Sequence, residues 1–148
     1  MQPLVYKELL NLEVEVANKS ELIAQMTDQL LSYGMISEQQ QFMEDLLRRE
    51  AEGSTVIGHE TALPHGLSTT VIPPAIVVYR IHNPIDWDDN HEVSLIILLV
   101  MNPEETDERI LSAIRNLMFK LADDSFLSAL KTKSREELYS LLTRSKEY

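Results

Sequence analysis

Two segments of the chain, Ala75-Ile76-Val77-Val78-Tyr79 and Val93 to Met101, are aliphatic or β-branched at both alternate positions, and Thr55-Val56-Ile57 shares their character. A strand with one wet face alternates apolar and polar residues; a strand apolar on both faces belongs inside a sheet covered by helices. This feature sets the fold class. The longest unbroken apolar run, Leu95 to Met101, has seven residues, against roughly 18 needed to span a bilayer. The first residues, Met1-Gln2-Pro3-Leu4-Val5-Tyr6-Lys7-Glu8, lack the basic-then-apolar order of a secretory signal. A soluble cytoplasmic protein with no direct membrane insertion is expected.

Helical spacing supplies the covering layers. Asn18 or Ser20 can cap a helix carrying Leu22, Met26, Leu30 and Tyr33, which Gly34 stops. Ser37 and Gln40 form a capping-box pattern before Phe42, Met43, Leu46 and Leu47, and this second helix ends in the charged Arg48-Arg49-Glu50. Thr106 is a plausible cap for a third helix with Asp107 and Glu108 in its first turn and Ile110, Ile114, Leu117, Met118 and Leu121 as its stripe. Phe126, Leu127 and Leu130 suggest a fourth, and Ser134 with Glu137 is a capping box for a fifth that carries Leu138, Leu141 and Leu142. Leu12, Val14 and Val16 have the period of a half-buried strand. Gly58, Pro64, Gly66, Pro73 and Pro74 punctuate a loop-rich stretch, while Asn83-Pro84 and Asp88-Asp89-Asn90 mark turns on either side of Trp87. With 148 residues and no repeat or low-complexity linker, the chain reads as one α/β domain spanning residues 1–148.

Composition removes several classes of function. There is no cysteine, so disulfides, thiolate nucleophiles and cysteine-ligated metals are excluded. Thirteen Lys and Arg against 24 Asp and Glu give a net charge of −11, which repels phosphate backbones and disfavours nucleic-acid binding. The four histidines, His59, His65, His82 and His91, lack metal-ligand spacing, and His82 and His91 are expected to be solvated. Nucleophile-elbow, Walker-type and dinucleotide-binding glycine motifs are absent.

His65 stands apart, in Ala62-Leu63-Pro64-His65-Gly66. A rigid proline before the imidazole and a small residue after it make a platform on which a partner can approach an exposed nucleophile. A neutral imidazole can attack a phosphoryl group at cytosolic pH.

The stretch Arg49-Glu50, Ser54-Thr55-Val56-Ile57-Gly58 and Ala62-Leu63-Pro64-His65-Gly66 resembles the signature of enzyme IIA of the fructose–mannitol class of the bacterial phosphoenolpyruvate-dependent sugar phosphotransferase system. Pro84-Ile85-Asp86-Trp87, the strand Val93 to Met101, the helix from Asp107 and Ser134-Arg135-Glu136-Glu137-Leu138 extend the likeness along nearly the whole chain. The resemblance implies a mixed β-sheet of about five strands flanked by helices, with His65 at a sheet edge in a shallow depression. It implies that His65 accepts a phosphoryl group from phospho-HPr and passes it to enzyme IIB, without a metal or other cofactor. The family's Arg-Glu pair maps onto Arg49 and Glu50. An arginine suits the charge that phosphoryl transfer spreads over three oxygens, though at a helix C-terminus it is also favoured by the macrodipole. Thr55 is placed to buttress the loop.

Two positions depart from the family pattern. Glu60 replaces the second glycine of a Gly-x-Gly turn, where positive φ would add roughly 1 kcal/mol or more of strain and bring a carboxylate toward the incoming phosphate. Asp107 falls where many members carry a second histidine. A carboxylate within about 6 Å of His65 would raise its pKa, whereas a solvent-facing first-turn residue would leave it alone. These departures point toward the alternative of a IIA-like regulatory domain of a sugar-responsive transcription regulator, controlled by phosphorylation of His65. A third reading is a binding domain never phosphorylated. The sugar is not encoded here, since specificity resides mainly in the family's membrane component.

Overall fold

In the computed structural model, which describes residues 4–144, chain order is β1 (Val5–Val14), α1 (Lys19–Ser32), α2 (Gln39–Glu52), β2 (Val56–Gly58), β3 (Thr61–Ala62), β4 (His65–Leu67), β5 (Ala75–Asp88), β6 (His91–Met101), α3 (Glu108–Leu121), α4 (Asp124–Thr132) and α5 (Arg135–Thr143). The doubly apolar strands pair as an antiparallel hairpin, with Val77 opposite Leu98 and Tyr79 opposite Ile96. Both faces are covered. Leu9, Val77, Ile96 and Leu98 pack with Met26, Leu30, Phe42 and Leu46 from α1 and α2. Leu10, Val78, Leu95 and Ile97 pack with Leu117, Leu121, Leu127, Leu130 and Leu138 from α3, α4 and α5. The described residues form a six-stranded mixed sheet in the order β1-β5-β6-β3-β2, with β4 also paired to β6.

One edge of β6 positions the candidate site. Thr61 and Ala62 pair in parallel with Leu95 and Ile96, and His65, Gly66 and Leu67 pair with Leu99, Val100 and Met101. The same register offset holds on both sides of Leu63-Pro64, so β3 and β4 are two halves of one edge strand. Pro64 lacks the N–H that an unbroken ladder would use, yet its carbonyl still accepts from Leu99 N at 3.0 Å. The antiparallel β2 covers only the first half.

Several boundaries differ from the sequence expectation. The first strand begins at Val5 and stops before Val16; its buried residues are Val5, Leu9 and Leu10, because register shifts against β5 interrupt the two-residue period. Asn83-Pro84 is no turn. It lies inside β5, in the register shift between Arg80 and Ile85 that accommodates a residue unable to donate. The capping box expected at Ser37 does not form, since Ser37 Oγ donates to Thr70 O at 3.3 Å and α2 starts after Glu38 without a side-chain cap. Asp107, not Thr106, caps α3, while Asn18 caps α1 and the Ser134–Glu137 box caps α5. Of the apolar residues assigned to helix faces, Leu47 and Met118 are each 44% exposed. Ile57, grouped with the doubly covered strands, is exposed on the edge strand β2.

Candidate functional site

The first turn of α2 packs against the broken edge strand because Gly66 has no side chain. A Cβ there would stand 2.5 Å from Cζ of Phe42 on α2 and 3.3 Å from Leu99 O. The small residue after the histidine thus admits a helix of the same chain, rather than leaving room for a partner as the sequence suggested. A second tie follows: Ser68 Oγ donates to Asp45 Oδ2 on α2 at 2.6 Å, and Thr70 Oγ1 lies 2.8 Å from the same hydroxyl. That hydroxyl, with Gln41 and Arg48, outweighs the effect of burial and holds the Asp45 carboxyl below its usual range.

Placed in this way, His65 is half-buried. Burial pushes the imidazole below its ordinary pKa, the Arg49 guanidinium adds to that, and the Glu50 carboxylate opposes it. The ring is therefore neutral at neutral pH, with a nitrogen lone pair available for attack. Among the described residues the hydrogen bond made by Arg49 runs from Nη1 to Gly53 O at 3.2 Å. Both Glu50 oxygens are engaged, Oε2 by Thr55 Oγ1 at 2.7 Å and Oε1 by Lys19 Nζ at 3.2 Å. Thr55 is buried, and its carbonyl accepts from Leu63 N at 2.9 Å, which ties the loop before His65 to the end of α2.

Of the residues singled out from sequence, His65, Arg49, Glu50 and Thr55 belong to one connected neighbourhood; Asp107 does not join it. Its carboxylate accepts from Ile110 N at 3.1 Å and pairs with Arg109 at 3.2 Å, and these bonds hold its pKa down. The increase in the His65 pKa expected from Asp107 is absent: the imidazole is shifted down, and the charged groups acting on it are Arg49 and Glu50. Asp107 instead lines a groove of about 1140 Å³ between α3 and the first residues of β1 and β5.

Glu60 does adopt positive φ, 54°, and so does His59 at 53°. This turn is fixed from both sides. Ser94 N and Ser94 Oγ donate to Glu60 O and Oε1 at 2.8 and 3.1 Å, while His59 Nε2 meets Asp124 Oδ1 at 3.1 Å and Lys131 donates to His59 O. The Glu60 carboxylate is thus engaged by Ser94, and the charged groups acting on His65 are Arg49 and Glu50. His82 is exposed, and His91 pairs with Asp88 at 2.8 Å. Among the described residues no cluster of His, Asp or Glu could hold a metal ion.

Sequence reasoning missed Lys19, Asp45 and Ser68; it placed Phe42 only on the apolar face of a helix and Trp87 only between turns and in a segment of the family likeness. Trp87 is buried, and Lys19 Nζ sits 4.1 Å from its ring centroid. Helical spacing could place Phe42 on a buried face, but it carries no signal that pairs Lys19 with Glu50 from another helix.

The fold and site define an α/β domain that displays one half-buried histidine at a broken sheet edge, under the influence of Arg49 and Glu50 from the last turn of a helix. Residues 3–145 match the family described as phosphoenolpyruvate-dependent sugar phosphotransferase system, EIIA 2, and the chain belongs to that family of phosphotransferase components. It is 31% identical over 143 residues to the PTS system 2-O-alpha-mannosyl-D-glycerate-specific EIIABC component of Escherichia coli (strain K12), covering 94% of this chain and 22% of that protein. The chain thus spans about a fifth of that relative's length. It is 28% identical over 138 residues to the PTS system fructose-like EIIA component of the same organism, covering 92% of this chain and 93% of that one. The crystal structure of nitrogen regulatory protein IIA-Ntr from Neisseria meningitidis superposes with a TM-score of 0.80 at 29% identity, covering 95% of this chain and 97% of that one. No helix among the described residues is long and apolar enough to cross a membrane.

Proposed function

We propose that His65 is the phosphorylated nucleophile of a phosphocarrier domain, acting in the cytoplasm between phospho-HPr and an enzyme IIB. The observation that carries this reading is the half-buried imidazole at the sheet edge, kept neutral by burial and by Arg49. A ring nitrogen of His65 forms a bond to phosphorus as the phosphorus–nitrogen bond of the donor phosphohistidine breaks. The donor imidazole leaves with its electron pair. Arg49 supplies planar donors for the equatorial oxygens; Glu50 and Thr55 hold the end of α2 against the loop. In the onward step the phosphoryl group passes to the acceptor group of IIB, and the coupled sugar is phosphorylated there rather than on this domain.

The test is incubation with phosphoenolpyruvate, enzyme I and HPr, followed by intact-mass measurement. One acid-labile, base-stable phosphoryl group is expected; His65→Ala abolishes it in a protein that still folds, and Arg49→Lys slows its appearance by about tenfold to a thousandfold. Stoichiometric label in His65→Ala, or label mapped to His59, His82 or His91, overturns the assignment. A second reading, phosphorylation of His65 as a regulatory signal, draws support from the likeness to IIA-Ntr and from Asp107 standing where many relatives carry histidine. Phosphorylated protein that transfers nothing to any IIB would select it.

A further inference from the structure

Glu50 poses a problem for the guanidinium beside it. Its side chain is only 8% exposed, and a carboxylate removed from water demands a cation or several donors. Its sequence neighbour Arg49 is one candidate, but an arginine committed to Glu50 could not offer its fork to an incoming phosphoryl group.

The structure gives Glu50 a different cation. Lys19, the first residue of α1, reaches Glu50 Oε1 at 3.2 Å while Thr55 takes Oε2 at 2.7 Å. Lys19 is fixed by a third element, because Nζ also donates to Trp87 O at 3.0 Å and lies 4.1 Å from the centre of the Trp87 ring. Trp87 is 3% exposed, so the ammonium rests on a surface that cannot move far. Three elements, α1, β5 and the segment after α2, thereby hold one carboxylate.

We propose that Lys19 is a positioning residue for phosphoryl transfer at His65: by fixing Glu50 against Trp87 and Thr55, it keeps that carboxylate from capturing Arg49 and leaves the guanidinium available to the phosphoryl oxygens. This inference rests on the phosphocarrier reading above. Lys19 touches neither His65 nor the transferred group; it acts through Glu50. It also neutralises a negative charge that would otherwise repel the phosphoryl dianion.

The test compares phosphorylation rates, by quenched intact-mass measurement with phospho-HPr as donor, for wild type, Lys19→Met, Lys19→Arg and the double variant Lys19→Met/Glu50→Gln. Lys19→Met is expected to slow transfer by about 10- to 100-fold, the scale of a misplaced reactive group, and Lys19→Arg to restore most of the rate. The double variant is decisive. Removing the carboxylate charge restores most of the rate lost in Lys19→Met if Glu50 captures Arg49. It deepens the loss if Lys19 merely joins α1 to α2, since Glu50→Gln also weakens the tie to Thr55.

Imidazole titration by NMR gives a readout independent of transfer. Arg49 and Glu50 are the charged groups acting on His65, so loss of the Lys19 charge raises the His65 midpoint and Glu50→Gln brings it back down. Should Lys19→Met fail to fold, Lys19→Gln, which keeps a donor for Trp87 O, carries the same comparison. A wild-type rate in folded Lys19→Met, or a double variant slower than the single, overturns the inference while leaving His65 phosphorylation standing. A wild-type protein that takes no label overturns both.

Discussion

The two neighbours of β6 are held by different physics. On one side β5 runs antiparallel from Ala75 to Tyr79 with every side chain at most 5% exposed, buried between the two helical layers. On the other side the edge strand is broken at Pro64, and its second half pairs with β6 over only His65, Gly66 and Leu67, with individual contacts setting its place against α2: Phe42 against Gly66 and Asp45 with Ser68. Burial along β5 is redundant and nonspecific, so it specifies stability. The edge depends on individual pairs, so it specifies where one imidazole sits. A mutation in the first region should change how much protein is folded, and one in the second what the folded protein can do.

Leu98→Ala tests the first half of that contrast. Leu98 is fully buried and pairs with Val77, and truncation leaves a cavity that close-packed neighbours fill only in part. A loss of about 2–5 kcal/mol in urea denaturation is expected, with the phosphorylation rate per folded molecule unchanged. A loss below about 1 kcal/mol would mean that the hairpin is not the stability-bearing unit.

Gly66→Ala tests the other half. One added methyl group would stand 2.5 Å from the Phe42 ring, so the helix, the strand or the ring must shift. Overpacking of this kind destabilises by about 1–3 kcal/mol, less than Leu98→Ala. The transfer rate should nevertheless fall, because the shift separates α2, with Arg49, from β4, with His65. Phe42→Leu in the same chain removes the clashing edge of the ring and should recover part of the rate. Equal rates for Gly66→Ala and wild type would show that the spacing of α2 from β4 does not set the geometry of the site.

The same contrast explains what the sequence made legible. The β5–β6 pair could be read because an apolar residue at every position admits few environments, and α1 and α5 because Asn18 and the Ser134–Glu137 box are local patterns. The family signature brought His65, Arg49, Glu50 and Thr55 to attention together. The link through Lys19 was hidden, because a contact between residues 31 apart leaves no periodic trace. Asn83-Pro84 reads as a turn by local chemistry, yet long-range pairing to β6 overrides it through a bulge. Asp107 was read by its alignment with relatives, whereas its immediate chemistry, a carboxylate at a helix N-terminus three residues before an unpaired backbone N–H, already described the cap it forms.

The smallest expected effect is a pH effect, and it sharpens the contrast on a single atom group. Burial and Arg49 push the His65 pKa below its ordinary value, against the opposing pull of Glu50. The unfolded chain, with an imidazole near about 6.5, therefore binds more protons than the native state between the native pKa and that value. Stability contributed by His65 is fully present above about pH 6.5 and is lost as pH falls through the native pKa. In a carbon–proton NMR titration the His65 midpoint should lie below that of an unstructured histidine; Arg49→Gln, which removes a repelling cation, should raise it, and Glu50→Gln should lower it further. Asp107→Asn should leave it where it is, because that carboxylate is spent on capping α3 and pairing with Arg109. If Asp107→Asn moved the midpoint as far as Arg49→Gln does, the edge site would extend to the start of α3, and its separation from the groove beside that helix would be wrong.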